Sequence, residues 1–351
     1  PEFDPADRRT TLDDLINPPP PRTPGGQGGG FGGGFRLNTL ISAMLRREQP
    51  AAVLQPSAWT YGMFLSGGHF DGRTARDSVY NPTPNLIVAH EQYGTLWRVA
   101  QRGMPARIEF NLQTRFLDDN RYPANVTAEI AGTDKASEVV MLGAHFDSWH
   151  GGTGATDNGA GSVVMMEALR ILKTIGLPMR RTVRIGLWTG EEQGLIGSRK
   201  YAEAHAAEAD SMQAVVVLDN GVGAITGQAL QSRLDLYYLW RELLNPVHDL
   251  HADTVTDNNK GGTDHLSFLP YGVPGFNFNQ ITRGYNHTHH SQSDTYDKAI
   301  DWDLRQASTV MAVSAFELAN LNGMIPRGQK RTVQPMAAVR VSDSLMVKGS
   351  R

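Results

Sequence analysis

Residues 138–175 read EVVMLGAHFDSWHGGTGATDNGAGSVVMMEALRILKTI. The apolar run EVVMLGA predicts a buried strand, and the stretch from Gly161 onward has the amphipathic spacing of a helix. A glycine-rich loop joins them, with Asp157 at the point where the loop opens the helix. A strand followed by a loop and a helix is the repeating unit of a parallel sheet covered by helices.

The same alternation of strand and helix patterns extends from about residue 125 to residue 320. The predicted strands are VTAEIAG (126–132), EVVMLGAHFD (138–147), TVRIGLWTG (182–190), AVVVLDNG (214–221) and PGFNFNQ (274–280). The predicted helices are residues 161–175, 195–209, 233–245 and 303–320. Near-continuous apolar strands between amphipathic helices predict an α/β fold, a doubly wound, mostly parallel sheet with helices on both faces.

The region before residue 125 has a different pattern. Residues 18–35 are so rich in Pro and Gly that 1–36 is predicted to be a flexible segment. A helix-like LNTLISAMLRRE and strand-like AAVLQ, LIVAH and ARIEFNL predict a small α/β or β-rich accessory module over 37–124. Residues 125–325 are then predicted to be the main α/β domain, and 326–351 a C-terminal tail without a readable pattern.

Composition narrows the classes of function. The 351 residues carry a net charge of −3 with 40% hydrophobic and 20% charged residues, which predicts an ordinary globular protein without a nucleic-acid partner. No apolar run approaches the roughly 18 to 20 residues that span a bilayer, so membrane insertion is not expected. The chain has no cysteine, so a bound metal would be held by His, Asp and Glu.

Polar residues with metal-binding side chains follow the predicted strands. They are His145 and Asp147 after EVVMLGA, Glu191 and Glu192 after TVRIGLWTG, and Asp219 after AVVVL. Because the carboxyl ends of parallel strands meet at one edge of a sheet, these side chains and Asp157 are expected to lie together there. A downstream loop adds three histidines, His287, His289 and His290, any one of which could complete a metal site.

Two metal ions that share a site need two histidines, several carboxylates and one bridging carboxylate. The chain offers this set, and of two adjacent glutamates one can bind metal while the other acts as a base. An isolated His or Glu-Glu pair is more often a solvated surface feature. Five such features after consecutive strands favour a shared site instead.

The motifs HFD, TDNGAG, GEEQGLIGSR, VLDNG and HSQSDTYD, in this order, resemble the di-zinc exopeptidase family that includes bacterial leucyl aminopeptidases and carboxypeptidase Q (plasma glutamate carboxypeptidase). GAHFDSWHGGTGATDNGAG and GGTDHLSFLPYGVPGF look most similar to the carboxypeptidase Q branch. The resemblance covers about residues 125–320. It implies the zinc-peptidase fold, and it identifies 37–124 as part of a protease-associated-like module. Relatives usually carry a catalytic-domain segment before that module, so an early part of the catalytic domain is expected to be missing.

The resemblance also assigns roles to individual residues. It implies that His145 and Asp219 bind one Zn²⁺, that Glu192 and His290 bind a second Zn²⁺, and that Asp157 bridges the two ions. Glu191 would be the general base and then the acid. The resemblance thus implies Glu191 as the catalytic residue and five metal ligands, His145, Asp157, Glu192, Asp219 and His290.

Further residues are expected to support the site. Asp147 is predicted to accept a hydrogen bond from the imidazole of His145 and so to fix its tautomer. Asp264 and His265 match a recurrent pair of the family, with a supporting or substrate-facing role, and Asp294 satisfies the family spacing after His290. The remaining expectations are pocket or surface positions for His150, His287 and His289, and packing positions for Trp149, Trp188, Met165 and Met166.

The expected function is a zinc-dependent exopeptidase, either an aminopeptidase or a carboxypeptidase Q-like dipeptidase, acting on small peptides or dipeptides. Two alternatives remain: a glutaminyl cyclase-like acyltransferase with a single zinc, and a non-catalytic receptor-type domain of the same fold. The resemblance implies a secreted or periplasmic protein, although the chain begins at Pro1 without a visible signal segment. The sequence leaves open the oligomeric state, the side-chain preference and the choice between aminopeptidase and carboxypeptidase.

Overall fold

The computed structural model describes residues 40–67 apart from 42 and 46, residues 83–113 and residues 123–333. The segment predicted to be flexible, 1–36, and the tail beyond residue 333 lie outside the described residues. The described residues fall into two compact units. One contains residues 40–62 and 83–109, and the other contains 63–67, 110–113 and 123–333. The predicted division of the chain at residues 36, 124 and 325 stays a prediction.

The smaller unit combines strands and a helix. Strand β1 (Val53–Pro56) pairs in parallel with β2 (Asn85–Val88), and helix α1 (His90–Gln101) follows β2. The strand predicted over residues 106–112 is wrong, because this stretch is not in a strand and each of its residues is exposed. Ile108, Phe110 and Leu112 therefore have no buried sheet face to occupy.

The larger unit is built on a seven-stranded sheet in the order β3-β5-β4-β6-β9-β7-β8. Its strands are β3 (Val126–Ile130), β4 (Lys135–His145), β5 (Arg181–Trp188), β6 (Met212–Val217), β7 (Ile225–Ala229), β8 (Thr254–Thr256) and β9 (Gly275–Gln280). β5, β4, β6 and β9 are mutually parallel, whereas β3 and β7 are antiparallel to their neighbours β5 and β9. The predicted mostly parallel sheet is confirmed. The last two strands at one side of the sheet, β7 and β8, were not predicted, because neither carries a long apolar run.

Helices cover both faces of this sheet. They are α2 (Ala160–Ile175), α3 (Ile196–Ala204), α4 (Tyr237–Leu244), α5 (Tyr285–Thr288) and α6 (Asp301–Asn320). Successive strand residues point to opposite faces, so Val140 and Leu142 pack into the core beneath α2, α4 and α6, while Met141 packs on the other face with Tyr201 of α3. Burial on both faces is the reason that the central strands are apolar at nearly every position.

Two sequence expectations about packing have different outcomes. Trp188, at the end of β5, is fully buried and contacts Tyr201 and Phe268, as predicted. Met165 is fully buried on α2, but Met166 is 44% exposed, so its predicted core position is wrong. The helix turns its next residue toward solvent because adjacent positions lie about 100° apart around the axis.

Trp188 is the strand partner of His145 in the parallel pair of β4 and β5, and two glycines make room for its indole. A Cβ at Gly186 would lie 2.2 Å from Cη2 of Trp188, and one at Gly143 would lie 2.7 Å from its Nε1. The indole therefore packs closely against the end of β4, the strand that carries His145. Among the described residues, no helix combines the length and apolarity that crossing a membrane requires.

A buried arginine joins the sheet to the end of α6. Arg181, with no exposed surface, donates hydrogen bonds to Glu138 at 2.6 Å and to the carbonyl oxygens of Leu321 and Gly323 at 2.5 and 3.2 Å. Losing the guanidinium would remove the donor from Glu138 and from the carbonyl oxygen of Leu321, whereas the carbonyl oxygen of Gly323 would keep Gln213 as a donor at 3.1 Å.

We therefore expect Arg181→Met to lower the free energy of unfolding by about 3 kcal/mol, the usual cost of removing one partner of a buried ion pair. Arg305→Met is the matched control, because the Arg305–Asp301 pair is largely exposed and should contribute little. Urea unfolding followed by circular dichroism measures both. Equal stability of Arg181→Met and the parent protein would show that this network does not hold α6 in place.

Candidate metal centre

The ends of neighbouring parallel strands bring the predicted site residues together. His145 ends β4, Glu191 and Glu192 follow β5, and Asp219 follows β6. Asp157 lies in the turn before α2. The predicted common edge is therefore present in the structure.

The first group of ligand atoms forms around His145. Its Nε2 lies 3.1 Å from Oδ1 of Asp157 and 3.4 Å from Oδ1 of Asp219. Its Nδ1 lies 2.9 Å from the backbone carbonyl oxygen of Asp147, which can only accept, so Nδ1 carries the proton. Nε2 is thus directed at the two carboxylates with a lone pair available for a metal ion.

The second group forms around His290. Its Nε2 lies 3.0 Å from Oε2 of Glu192 and 3.4 Å from Oδ2 of Asp157. The two oxygens of Asp157 therefore face two different histidines. His290 has a φ of 57°, a left-handed conformation that is uncommon for a residue with a side chain and that is found mostly at functional sites.

His289 is the third histidine near this position. Its Nε2 is 3.7 Å from Oδ2 of Asp157, and its ring stacks on that of His290 with centroids 3.7 Å apart. His290 approaches Asp157 more closely and also meets Glu192, so it fits the second ligand position better. His289 lies within the site as a partly exposed neighbour.

The donor set fits a pair of zinc ions. Two ligand atoms bound tetrahedrally at about 2.0 to 2.1 Å from one Zn²⁺ stand about 3.3 Å apart, and the four nitrogen–oxygen distances above lie close to that separation. Within this set of described donors, three buried carboxylate oxygens lack a hydrogen-bond donor: Oδ2 of Asp157, Oε1 of Glu192 and Oδ1 of Asp219. Buried carboxylate oxygens without a donor are costly unless a cation meets them.

The close packing of charged groups shifts the pKa values of the same residues. Burial, with the nearby Asp219 carboxylate, raises the pKa of Glu191 to about 9 when only protein groups are present. Burial also raises the pKa of Glu192, although His290 offsets part of that rise. Burial works against protonation of His145, yet Asp219 and Asp157 raise its pKa well above the ordinary value. The site thus binds protons where it would otherwise bind cations.

Asp147 supports the site differently from the prediction. The imidazole of His145 bonds to its backbone carbonyl, whereas its carboxylate Oδ1 is 3.8 Å from Nδ1. The carboxylate instead accepts hydrogen bonds from the backbone N–H groups of Glu191 and Glu192, at 3.0 and 3.3 Å. One residue therefore orients both the first histidine and the paired glutamates.

Asp294 supports the bridging residue. Its two carboxylate oxygens accept hydrogen bonds from the backbone N–H groups of Thr156 and Asp157, at 2.6 and 3.1 Å. This fixes the turn that carries Asp157. The Asp294 side chain lies in the loop that follows His290, so the loop of the second histidine is tied to the turn of the bridge.

Asp264 and His265 are both fully buried, which favours a supporting role over a substrate-facing one. Burial raises the pKa of Asp264 to about 7, and the hydroxyl of Ser198 offsets part of the rise. Burial lowers the pKa of His265 to about 4, and its Nε2 contacts the side-chain amide of Gln231. His150, in contrast, is exposed on the loop after β4.

Two further residues near the metal centre were not predicted from the sequence. Asn158 donates to the carbonyl oxygen of Leu218 at 3.0 Å and accepts from the N–H of Gly161 at 3.0 Å, which ties the end of β6 to the start of α2. Tyr285 begins α5, and burial together with the nearby Asp219 and other carboxylates raises the pKa of its hydroxyl well above the ordinary value. The asparagine inside TDNGAG offered a signal, whereas nothing in the sequence pointed to Tyr285.

The chain is similar in sequence to known peptidases. Residues 125–315 match the model of peptidase family M28. The chain is 33% identical to carboxypeptidase Q of Mus musculus over 244 residues, which are 70% of this chain and 52% of that protein. It is 26% identical to aminopeptidase YwaD of Bacillus subtilis (strain 168) over 195 residues, 52% of this chain and 42% of that protein. The chain spans about half the length of the curated relatives it matches.

A solved structure supports the fold. The peptidase M28 precursor from Shewanella amazonensis SB2B matches with a TM-score of 0.68 and 24% identity, over 83% of this chain and 65% of that chain. This likeness bears on the architecture of the sheet and helices alone.

Because the carboxylates are crowded, the free energy of unfolding should depend on pH once a chelator has removed metal from the site. The pKa of Glu191 rises from 4.5 to about 9 on folding, so between these values the folded protein holds a proton that the unfolded chain has released. The free energy of unfolding therefore falls as pH rises through this range. His145, with its raised pKa, acts in the same direction.

We expect the chelated protein to lose about 1 kcal/mol of stability per pH unit between pH 7 and pH 9. Zinc should flatten this dependence, because a cation replaces the proton, and Glu191→Gln in the chelated protein should reduce it. Urea unfolding at three pH values measures the slope. A chelated protein whose stability is constant or increases over this range would contradict the electrostatic description of the site.

Proposed function

The chain belongs to peptidase family M28, and from this membership we propose that it is an exopeptidase that uses two Zn²⁺ ions to hydrolyse terminal peptide bonds of small peptides. The observation that carries the proposal is the position of Asp157, whose two oxygens face His145 and His290 separately. A carboxylate in that position can join two ions into one site. The relatives named above are a carboxypeptidase and an aminopeptidase, which agrees with action at a peptide terminus.

In this proposal His145 and Asp219 hold one ion, Glu192 and His290 hold the other, and Asp157 contacts both. When bound, the two zinc ions would supply Lewis acidity that polarises the scissile carbonyl and makes water a better nucleophile near neutral pH. The residues that hold them are fixed by hydrogen bonds to other groups of the chain. Asp147 and Asp294 provide those bonds for His145 and for the turn of Asp157.

Glu191 is proposed to move the proton. Its side chain is 9% exposed, and its backbone is fixed by the carboxylate of Asp147, so the carboxylate keeps its position beside the ligands. When bound, the zinc ions would favour the ionised form of this carboxylate, which can accept a proton. Glu191 would accept the proton of the attacking water at a carboxylate oxygen and then deliver it to the nitrogen of the leaving amine.

The single-zinc cyclase alternative predicts a different chemistry from the same fold. A cyclase releases ammonia from an amino-terminal glutamine and adds no water to a peptide bond. The secreted or periplasmic location implied by the sequence resemblance stays a prediction under either function.

Metal stoichiometry separates these functions. We expect protein equilibrated with zinc and then desalted to contain two equivalents by elemental analysis, and Asp157→Asn to retain fewer than one because both positions lose a ligand. The zinc-loaded protein should hydrolyse unblocked dipeptides, and chelation should abolish this activity reversibly. One equivalent, with cyclisation of glutaminyl peptides and no hydrolysis, would favour the cyclase.

Substituting each of the two adjacent glutamates in turn distinguishes the proposed general base, Glu191, from the proposed zinc ligand, Glu192. We expect Glu191→Gln to lower kcat by about 10²-fold or more, because glutamine cannot accept the proton, while zinc content stays unchanged. Glu192→Gln should instead release zinc, because a charge that neutralises the ion is lost. Steady-state kinetics and elemental analysis of both variants measure this. A Glu191→Gln protein that keeps more than about a tenth of the activity would exclude Glu191 as the essential base.

A further inference from the structure

A short extended stretch of the larger unit, the strap (Met63–Gly67), lies against the loop that carries His290. Leu65 forms an antiparallel bridge with Ser291. Beside this bridge, the N–H of Ser66 donates a hydrogen bond to the carbonyl oxygen of His290 at 2.5 Å. A segment remote in sequence from the metal site is therefore bonded to the backbone of one of its proposed ligands.

A second hydrogen bond joins the strap to the same loop. The N–H of Phe64 donates to Oε1 of Gln292 at 2.7 Å, across 228 positions of sequence. The loop after β4 also packs here, since a Cβ at Gly151 would lie 2.8 Å from Oγ of Ser66 and 3.4 Å from the backbone nitrogen of Gln292. The strap thus fits closely between two loops of the metal centre.

The bond from Ser66 acts on the residue whose backbone is strained. His290 has a φ of 57°, a conformation that a residue with a side chain keeps only where surrounding contacts fix it. The strap fixes the carbonyl group of this same residue. The imidazole, whose Nε2 lies 3.0 Å from Oε2 of Glu192, takes its direction from that backbone conformation.

Other supports of this loop act on its neighbouring residues. The carbonyl oxygen of Asp294 accepts from the N–H of Thr153 at 2.7 Å, and the hydroxyl of Ser291 donates to the carbonyl oxygen of Thr288 at 2.9 Å. Neither bond involves a residue of the strap. Without the strap the loop would therefore keep these bonds, while the carbonyl group of His290 would lose the bond from Ser66.

The first metal position is supported by a different part of the chain. Nδ1 of His145 is bonded to the backbone carbonyl oxygen of Asp147 at 2.9 Å, and Asp147 lies directly after β4. The strap bonds described above belong to the loop of His290. A change in the strap should consequently affect the two metal positions unequally.

We propose that the strap is a positioning element of the second zinc position, in which the N–H of Ser66 holds His290 in the conformation that binds the ion. The inference rests on the proposed function and adds to it a segment outside the ligand loops. Ser66 is a positioning residue in this scheme, because it acts through His290 and touches neither the attacking water nor the peptide.

The test substitutes single residues in the full chain. Ser66→Pro removes the N–H that bonds to His290. Leu65→Pro is the matched control, because successive N–H groups of an extended segment point in opposite directions and that of Leu65 points away from the loop. Ser66→Ala keeps the N–H and loses only the hydroxyl. Gln292→Met removes the bond to Phe64 without introducing a proline, and it decides the question alone if Ser66→Pro does not fold.

Competition with a chromophoric chelator measures the stepwise zinc affinities of each protein. Ser66→Pro should lower the affinity for one of the two ions by about 10- to 100-fold, the usual effect of losing a group that orients a metal ligand, and leave the other unchanged. Gln292→Met should have the same effect to a smaller degree, and both controls should match wild type. Raising the zinc concentration should restore dipeptide hydrolysis by Ser66→Pro, a rescue that a general loss of structure would not allow.

Unchanged affinity for both ions in Ser66→Pro and in Gln292→Met would overturn the inference and leave the proposed function standing. An equal loss of both affinities would also overturn it, because the strap would then support the whole edge of the sheet and not His290. A wild-type protein that binds one ion and hydrolyses no dipeptide would instead overturn the proposed function, so the two failures are distinguished by the wild-type measurement.

Discussion

The buried carboxylate of Asp157 has its two oxygens 3.1 Å from one histidine and 3.4 Å from another, and much of the larger unit serves to keep it there. Asp294 fixes its backbone from the loop of the second histidine, while Asn158 ties its turn to the end of β6. The parallel order of β5, β4 and β6 then delivers Glu192, His145 and Asp219 to the same edge. The cost of this arrangement is the mutual repulsion of buried acids, which the raised pKa of Glu191 reports. Cations remove that repulsion, so metal binding and the stability of this edge are linked.

The sequence predicted the sheet well because the central strands are buried on both faces and therefore read as apolar runs. It predicted the ligand edge because polar residues follow those runs directly. It did not predict β7 and β8, which carry too few apolar residues to stand out, and it placed Met166 in the core although the helix turns it to solvent. The strand expected over residues 106–112 failed for a related reason, since apolar residues alternate there without a partner strand to cover them.

The supporting contacts could not be predicted from the sequence, for a different reason. Whether the backbone or the side chain of Asp147 accepts from His145 depends on the local loop conformation, and the structure shows the backbone in that role. Tyr285 lies near the carboxylates of the site at the start of α5, directly after Gly284, whose φ is 76°. Contacts of this kind need the three-dimensional structure, whereas the ligand inventory does not.

We propose that Asp157 joins two zinc ions in one site. Anomalous X-ray diffraction from zinc-soaked crystals, recorded on both sides of the zinc absorption edge, can locate these ions. We expect two anomalous peaks about 3.5 Å apart, one between His145 and Asp219, the other between His290 and Glu192, with the Asp157 carboxylate between them. A single peak at saturating zinc, or two peaks of which only one contacts Asp157, would contradict it.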